Sequence, residues 1–360
     1  MARILFTGGG TAGHVTPNIA LIEALTAEGW DCQYVGSRAG IERELISPLA
    51  ICYHSIHSGK LRRYFSWQNF IDPLFILLGT FQSLWLCLRL RPDIVFSKGG
   101  FVAVPVVFAA WLCRIPVISH ESDITPGLAN RLCLPFSRVL CVNFPETIGY
   151  LSASLPPERI RLTGSPLRSG LRNTDASRGR DFLGFDQAKP IVLVVGGSLG
   201  ARALNEAIWD SLPALLEQYQ LVHMVGAGNK HEHRGGAYVQ FEYLGDEYGD
   251  VLAAADMVVS RAGANSLFEL LSFRKPHLLV PLTAAASRGD QLVNARVMAD
   301  AGMSLVIQES ELTSDTLLQA LANLEDKSQW VFAMDSFPDT DAVQVIVALI
   351  VELTGDAVQG

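Results

Sequence analysis

The feature that most constrains this chain is a strand, glycine turn and helix that occurs twice. Arg3-Ile4-Leu5-Phe6-Thr7 runs into Gly8-Gly9-Gly10-Thr11-Ala12-Gly13-His14. About half a chain later, Ile191-Val192-Leu193-Val194-Val195 runs into Gly196-Gly197-Ser198-Leu199-Gly200-Ala201. Helical stretches follow at Pro17–Glu28 and Ala203–Gln218. A continuously apolar strand that feeds a helix through glycines belongs in a parallel sheet covered on both faces. Two copies predict two Rossmann-like domains. The 360 residues suit that count at roughly 100–200 residues per domain.

The same alternation fills the rest of the chain. Further strands are expected at Cys32–Val35, Ile94–Phe96, Pro116–Ser119 and Val139–Val142, then at Leu221–Val225, Met257–Ser260, His277–Val280 and Ser304–Ile307. Helices are expected at Val102–Cys113, Ser266–Phe273, Gln291–Ala301 and Asp341–Leu353. The fold class is therefore α/β. The polar stretch Ser169–Lys189 reads as the linker or an early loop of the second domain. The last helix is expected to cross back onto the first domain.

Composition narrows the function. With 49% hydrophobic and 18% charged residues, a disordered chain is excluded. A net charge of −8 argues against a general nucleic-acid binder, which needs a basic field to displace counterions. Cys32, Cys52, Cys87, Cys113, Cys133 and Cys141 form no CxxC pair and sit mostly in apolar segments. They read as buried, reduced thiols of a cytoplasmic protein. The apolar run Ile4–Phe6 is too short for a signal peptide.

Neither glycine turn spells GxGxxG with a matching acid, nor GxxxxGK[ST], so a dehydrogenase or P-loop enzyme is disfavoured. Each turn is either a tight bend without a ligand or a phosphate cradle that presents backbone N–H groups at a helix start. Ser198 adds a hydroxyl to the second turn. His14 ends the first turn at a strand's carboxyl edge, where α/β folds bind ligands, and its imidazole titrates near neutral pH. It is a general base or substrate contact, or else a structural side chain.

His120-Glu121-Ser122-Asp123 follows another strand directly. It either meets a substrate or, through Asp123 or Thr125, caps the next helix. In the second half, Ser260-Arg261-Ala262-Gly263-Ala264-Asn265-Ser266 leads into Leu267-Phe268-Glu269. Glu269 could take both hydroxyls of a ribose or stand as a surface acid favoured by the helix dipole. Ser287-Arg288-Gly289-Asp290-Gln291-Leu292-Val293-Asn294 opens a further helix with amide and carboxylate groups.

Taken in order, Gly8–His14, His120–Asp123 with Gly127-Leu128-Ala129-Asn130, Gly164-Ser165-Pro166-Leu167-Arg168, Gly196–Ala201, Arg261–Glu269 and Asp290–Asn294 resemble the bacterial MurG family over nearly the whole chain. That family transfers N-acetylglucosamine to the lipid-linked muramyl-pentapeptide of peptidoglycan synthesis. The resemblance implies the GT-B architecture, two Rossmann-like domains facing across a cleft. It implies an acceptor- and membrane-facing domain over 1–165, a UDP-sugar domain over 166–340, and a final helix at about 341–360 packed on the first.

The resemblance also implies site residues. Ser198 and its turn would meet the diphosphate, Leu244 the uracil through its backbone, and Glu269 the ribose. Ala264, Asn265, Ser266 and Leu267 would give backbone donors to the phosphate. Asp290 and Gln291 would hold the sugar hydroxyls, and Arg168 would contact the nucleotide sugar. Thr11, Ala12, Gly13 and His14 would face the acceptor and the transferred sugar. Two positions depart from the family. Ala12 stands where glycine is common and restricts φ. Ser122-Asp123 stands where Gln-Asn is common. Asp123 only accepts hydrogen bonds when ionised, which makes it a second candidate base beside His14.

The implied reaction is inverting transfer to the C4 hydroxyl of the muramyl sugar, with UDP leaving and its charge met by helix dipoles and Arg168. No Asp-x-Asp motif stands in a suitable place, so neither a metal nor a cofactor is expected. The expected partners are UDP-N-acetylglucosamine, the undecaprenyl-linked muramyl-pentapeptide, an anionic membrane surface and other cell-wall synthesis proteins, with no nucleic acid.

The hydropathic peak, Phe70–Leu90, suits that membrane surface. Leu74–Leu88 carries no charge, which as a helix is about 22 Å, short of the roughly 30 Å of a span. Phe65, Trp67, Phe70, Phe75, Phe81 and Trp85 make it aromatic, and Lys60, Arg62, Arg63, Arg89 and Arg91 flank it. It reads as an interfacial surface on the cytoplasmic face of the membrane, or as a helix buried against the first sheet. Competing functions are a GT-B transferase with another lipid acceptor such as diacylglycerol, a UDP-N-acetylglucosamine 2-epimerase, and a non-catalytic nucleotide-sugar-binding scaffold.

Overall fold

Parallel pairing governs the molecule. Its computed structural model describes residues 1–59, 68–152, 154–171, 173–186, 188–197, 200–232, 236–284, 289–337 and 340–359, with side chains for all of these but 68–71, 169 and 356–359. The chain divides into two units, Met1–Arg168 with Thr340–Gly360, and Ser169–Asp339.

In the first unit β1 (Arg3–Thr7), β2 (Asp31–Ser37), β3 (Cys52–Ile56), β4 (Ile94–Ser97), β5 (Val117–Glu121), β6 (Val139–Val142) and β7 (Ile160–Leu162) form one sheet, ordered β3-β2-β1-β4-β5-β6-β7. In the second, β8 (Ile191–Val195), β9 (Gln220–Met224), β10 (Tyr238–Phe241), β11 (Met257–Ser260), β12 (His277–Leu279) and β13 (Leu305–Val306) are ordered β10-β9-β8-β11-β12-β13. Every pairing is parallel. Both sheets reverse their order beside the strand that carries a glycine turn, at β1/β4 and at β8/β11. Crossovers leave in opposite directions there and open a crevice at the carboxyl ends of the strands.

The period of two along each strand explains the burial. Ile4, Phe6, Phe96 and Ile118 face Leu21 and Leu25 of the helix Thr16–Ala27, and Ile346 and Ile350 of the helix Ala342–Gln359. Leu5, Val95 and Val117 face the other way, onto Val106 and Ala110 of Ala103–Leu112 and Leu86 and Cys87 of Gln68–Leu90. In the second unit Val192, Val194 and Val259 pack on Leu204 and Ile208 of Arg202–Gln218 and on Leu317 and Leu321 of Ser314–Leu324.

Three sequence expectations change. The stretch Ser169–Lys189 is not simply a linker, because Ala176–Leu183 is a helix whose N-cap Asp175 accepts the Ser177 and Arg178 N–H groups. The strands β3, β7 and β10 were not anticipated; each lies at a sheet edge or is partly exposed. The apolar helix runs from Gln68 to Leu90, 23 residues or roughly 34 Å, so its length alone does not rule out a span. Within it Asp72–Leu90 is long and apolar enough to cross a membrane by length and composition. Packing gives a different reason to keep it at the surface: Ser83, Leu86 and Cys87 are buried in the protein, and a spanning helix would have to withdraw them.

Candidate functional sites at the two sheet switch points

At the first switch point two glycine-rich exits interlock. The Lys98 N–H donates to the Thr7 carbonyl at 2.9 Å. Gly100 holds φ +83°, and a Cβ there would stand 2.2 Å from the Gly9 carbonyl oxygen, so backbone meets backbone where no side chain fits. Beneath the turn lies the buried Glu42. Its Oε2 accepts the Gly10 N–H at 3.3 Å, and its Oε1 accepts the Ser37 N–H at 2.9 Å and the Ser37 hydroxyl at 2.6 Å.

The turn continues into a single 3-10 turn, Ala12–His14, with Thr11 exposed and Ala12, Gly13 and His14 half-buried. Ala12 is not among the residues at positive φ, so alanine fits this backbone without strain. His14 Nδ1 lies 3.1 Å from the Gly9 carbonyl and 3.2 Å from the Thr11 hydroxyl. A carbonyl can only accept, so Nδ1 carries a proton.

His120 and Glu121 do not follow β5 but end it, paired with Cys141 and Val142, and only Ser122 and Asp123 of the expected segment lie beyond the strand. The segment is built around two buried groups. The Glu121 carboxylate accepts the Ser122, Asp123 and Gly127 N–H groups at 2.9, 3.1 and 2.8 Å and the Asn130 amide at 2.9 Å. It thereby shapes the loop. The helix Leu128–Cys133 has Gly127 as its N-cap and no side-chain cap bond, so neither Asp123 nor Thr125 caps it. The second buried group is Lys98, which donates from Nζ to His120 Nδ1 at 2.7 Å and also to the Ser122 hydroxyl. His120 Nε2–H in turn donates to the Gly164 carbonyl at 3.0 Å. Burial first, and then the Lys98 charge, hold His120 well below its ordinary value. Burial brings Lys98 down to about 8 against the upward pull of Glu121 and Asp123. Asp123 itself is half-buried.

The second switch point gathers the nucleotide candidates. Ser198 lies outside the described residues, while Gly196, Gly197, Gly200 and Ala201 define the turn around it. Gly263 is the N-cap of the helix Ala264–Ser272 and supplies no side chain to its first N–H groups, which include those of Ala264, Asn265 and Ser266. Leu267 departs from the expectation of a phosphate donor, because its N–H closes the first helical bond onto the Gly263 carbonyl at 2.9 Å. One turn on, Glu269 Oε2 accepts the Tyr248 hydroxyl at 3.0 Å. Leu244 is buried just ahead of the helix Tyr248–Ala254. Gln291 Oε1 accepts the Leu282 N–H at 3.0 Å, and Asn294 donates to the Ala262 carbonyl at 3.1 Å. These bonds bring the start of Asp290–Asp300, with Asp290 and Gln291, beside the Ala262–Ala264 turn. Arg168, half-buried, is the last residue of the first unit's main segment.

Apart from Leu244, which follows the edge strand β10, and Arg168, the described sequence candidates thus fall into two groups, one at each switch point. Lys98, Glu42 and Tyr248 were not among them, although each bonds directly to a candidate segment. A separate cleft lined by Arg138, Arg159, Arg161, Leu349 and Leu353 opens at the opposite, amino-terminal edge of the first sheet, away from these groups.

Comparison with known proteins adds to this geometry. Residues 4–139 match the glycosyltransferase family 28 N-terminal domain, and residues 191–350 match the glycosyltransferase family 28 C-terminal domain. A UDP-N-acetylglucosamine--N-acetylmuramyl-(pentapeptide) pyrophosphoryl-undecaprenol N-acetylglucosamine transferase of Lachnoclostridium phytofermentans is 51% identical over 98% of this chain and 99% of its own. A protein of the same name from Legionella pneumophila (strain Lens) is 48% identical over 97% of this chain and 96% of its own. The crystal structure of Acinetobacter baumannii MurG superposes with a TM-score of 0.75 at 25% identity, covering 98% of this chain and 100% of that one.

Proposed function

The chain belongs to glycosyltransferase family 28, as a member of its MurG family, and on that premise we propose how its residues divide the work. It is a GT-B glycosyltransferase. It transfers N-acetylglucosamine from UDP-N-acetylglucosamine to undecaprenyl-diphospho-N-acetylmuramyl-pentapeptide, the lipid I to lipid II step of peptidoglycan synthesis. The observation that carries this is the identity of about half of all positions to relatives of that name, over nearly the full length of both chains.

We assign the acceptor to the first unit and the nucleotide sugar to the second. His14 is the general base. Nδ1 is anchored on the Gly9 carbonyl, and we assign Nε2 to take the proton of the muramyl C4 hydroxyl. That oxygen bonds to the anomeric carbon of N-acetylglucosamine from the face opposite UDP. The bond from that carbon to the β-phosphate oxygen breaks, and its electron pair leaves with UDP. Asp123 accepts from the same hydroxyl and orients it. Thr11, Ala12 and Gly13 border the transferred sugar.

In the second unit, the Gly196–Ala201 turn with Ser198 and the helix start at Ala264–Ser266 receive the diphosphate with backbone N–H groups and positive dipole, joined by Arg168. Glu269 takes the ribose hydroxyls, Leu244 the uracil, and Asp290 and Gln291 the sugar hydroxyls. Support for this division comes from the two switch points, each lined by the residue types its ligand needs.

We further place the enzyme peripherally on the cytoplasmic face of the membrane, where its acceptor's lipid tail resides. Leu74, Leu77, Phe81, Trp85 and Leu88 recur at helical spacing along one face of Gln68–Leu90, and Phe81, Trp85 and Leu88 are 62%, 56% and 62% exposed. Arg89 sits 5.0 Å over the Trp85 ring, an aromatic–cation pair suited to an anionic interface. The basic candidates Lys60, Arg62 and Arg63 lie outside the described residues.

A radiolabelled sugar-transfer assay tests the function. The muramyl-pentapeptide lipid should accept label from UDP-N-acetylglucosamine, with EDTA as without it, and diacylglycerol should not. His14→Ala should lower kcat by about 10²–10⁴. Near-normal turnover of that variant would remove His14 as the base.

A further inference from the structure

Lys98 is 1% exposed and lies at the carboxyl end of β4, two residues past Phe96 and on the same face. A buried cation is expensive unless neighbours compensate it. Its Nζ donates to His120 and to Ser122, so it grips both sides of Glu121 in the turn that carries Asp123. The charged and titratable groups acting on it are Glu121 and His120 of β5, Asp123 of the turn, and Cys141 of β6.

Glu121 ends β5 and Asp123 lies two residues on, and the charges of both act on Lys98. The Glu121 carboxylate accepts four N–H donors. The family's common amide in place of Asp123 would need no cation.

We infer that Lys98 is a positioning residue of the acceptor side. Its buried ammonium holds the His120–Asp123 turn and balances Glu121 and Asp123 together, so that Asp123 meets the acceptor hydroxyl as an anion. This rests on the reading that the first unit binds the acceptor. Lys98 touches no substrate and acts through Asp123 and the turn.

Two measurements on the full chain test it. The first uses ¹³Cε-lysine labelling and needs no activity. Asp123→Asn should lower the Lys98 titration midpoint by about half a unit or more, because one of its compensating anions is gone. An unmoved midpoint overturns the coupling. The second compares Lys98→Met, Asp123→Asn and the double variant in the transfer assay. Lys98→Met should lower kcat with the acceptor by about 30-fold or more, with KM for UDP-N-acetylglucosamine changed by no more than about twofold.

The loss caused by Asp123→Asn should then be about tenfold smaller in the Lys98→Met background than in wild type. Equal losses in both backgrounds, or an unimpaired Lys98→Met, overturn the inference. If Lys98→Met does not fold, the titration arm decides alone. A wild-type chain that transfers no sugar to the muramyl lipid refutes the acceptor reading, while the Lys98–Asp123 coupling is still read by NMR.

Discussion

Glu42 holds the first glycine turn from below, its carboxylate shared between the Gly10 N–H and the N–H and hydroxyl of Ser37. The space is tailored to it, since a Cβ on Gly9 would stand 2.7 Å from the Glu42 carboxyl carbon. Removing the carboxylate leaves these donors without their acceptor, at about 1–3 kcal/mol for each that stays buried. Glu42→Ala should therefore lower the first urea-unfolding midpoint and raise KM for the acceptor more than KM for the nucleotide sugar. An unchanged acceptor KM would show that the turn keeps its shape without Glu42.

The Tyr248–Glu269 bond joins two helices of the second unit at the proposed ribose site. Tyr248→Phe removes one hydrogen bond, about 0.5–1.5 kcal/mol, and should weaken UDP binding about 2- to 10-fold by calorimetry. Glu269→Ala removes the acceptor of both ribose hydroxyls as well, and charge-assisted bonds are roughly twice as strong. Its loss should exceed that of Tyr248→Phe by about tenfold. Equal losses would move the ribose away from Glu269.

Asp256 ties the start of β8 to two helices. It accepts the Ile191 N–H at 2.8 Å, Lys327 Nζ at 2.5 Å and the Arg180 guanidinium at 3.2 Å. Burial pushes its carboxyl up, but the Lys327 and Ile191 bonds and the Lys327 and Arg180 charges outweigh that and hold it below its ordinary value. A depressed folded value means stability that is present above the unfolded value of 3.8 and is lost as pH falls through the folded one. Asp256→Asn should destabilise the second unit at neutral pH and flatten its acid unfolding below about pH 4. Parallel acid profiles for the two proteins would contradict this.

The exposed face of Gln68–Leu90 gives a prediction independent of the chemistry. Fully burying one large apolar side chain contributes about 1.5–3 kcal/mol. Phe81→Ser and Trp85→Ser should each weaken binding to anionic vesicles about tenfold in sedimentation at low salt. Transfer to an acceptor with a shortened lipid tail should stay near wild type. Unchanged sedimentation of the double variant would locate membrane contact elsewhere.

Central strands were legible because their residues face protein on both sides. Ile191–Val195 and Val139–Val142 read as unbroken apolar runs, and the structure has them with those bounds. Edge strands carry no such run. Cys52-Tyr53-His54-Ser55-Ile56 is mostly exposed or half-exposed, and only its pairing with β2 makes it a strand. The glycine turns and the His120–Asp123 segment announce themselves because glycines or polar groups at the end of a buried strand are unusual. Lys98 gives no comparable signal. In Ser97-Lys98-Gly99-Gly100 it looks like a surface lysine, and its meaning comes from β5, which β4 meets only across the sheet. Tyr248 and Glu42 are hidden for the same reason: each bonds to a site residue or turn many positions away in sequence.

The helix Ala342–Gln359 places Val343, Ile346 and Ile350 in the core that Ile4, Phe6 and Phe96 begin. The first unit is therefore opened by the first strand of the chain and closed by a segment translated after the whole of the second unit. On the ribosome the second unit has all its parts before the first does. Until translation reaches residues 342–359, the nascent first unit has only the helix Thr16–Ala27 over that face of its sheet and exposes the rest, and that interval is when the chain most needs a chaperone.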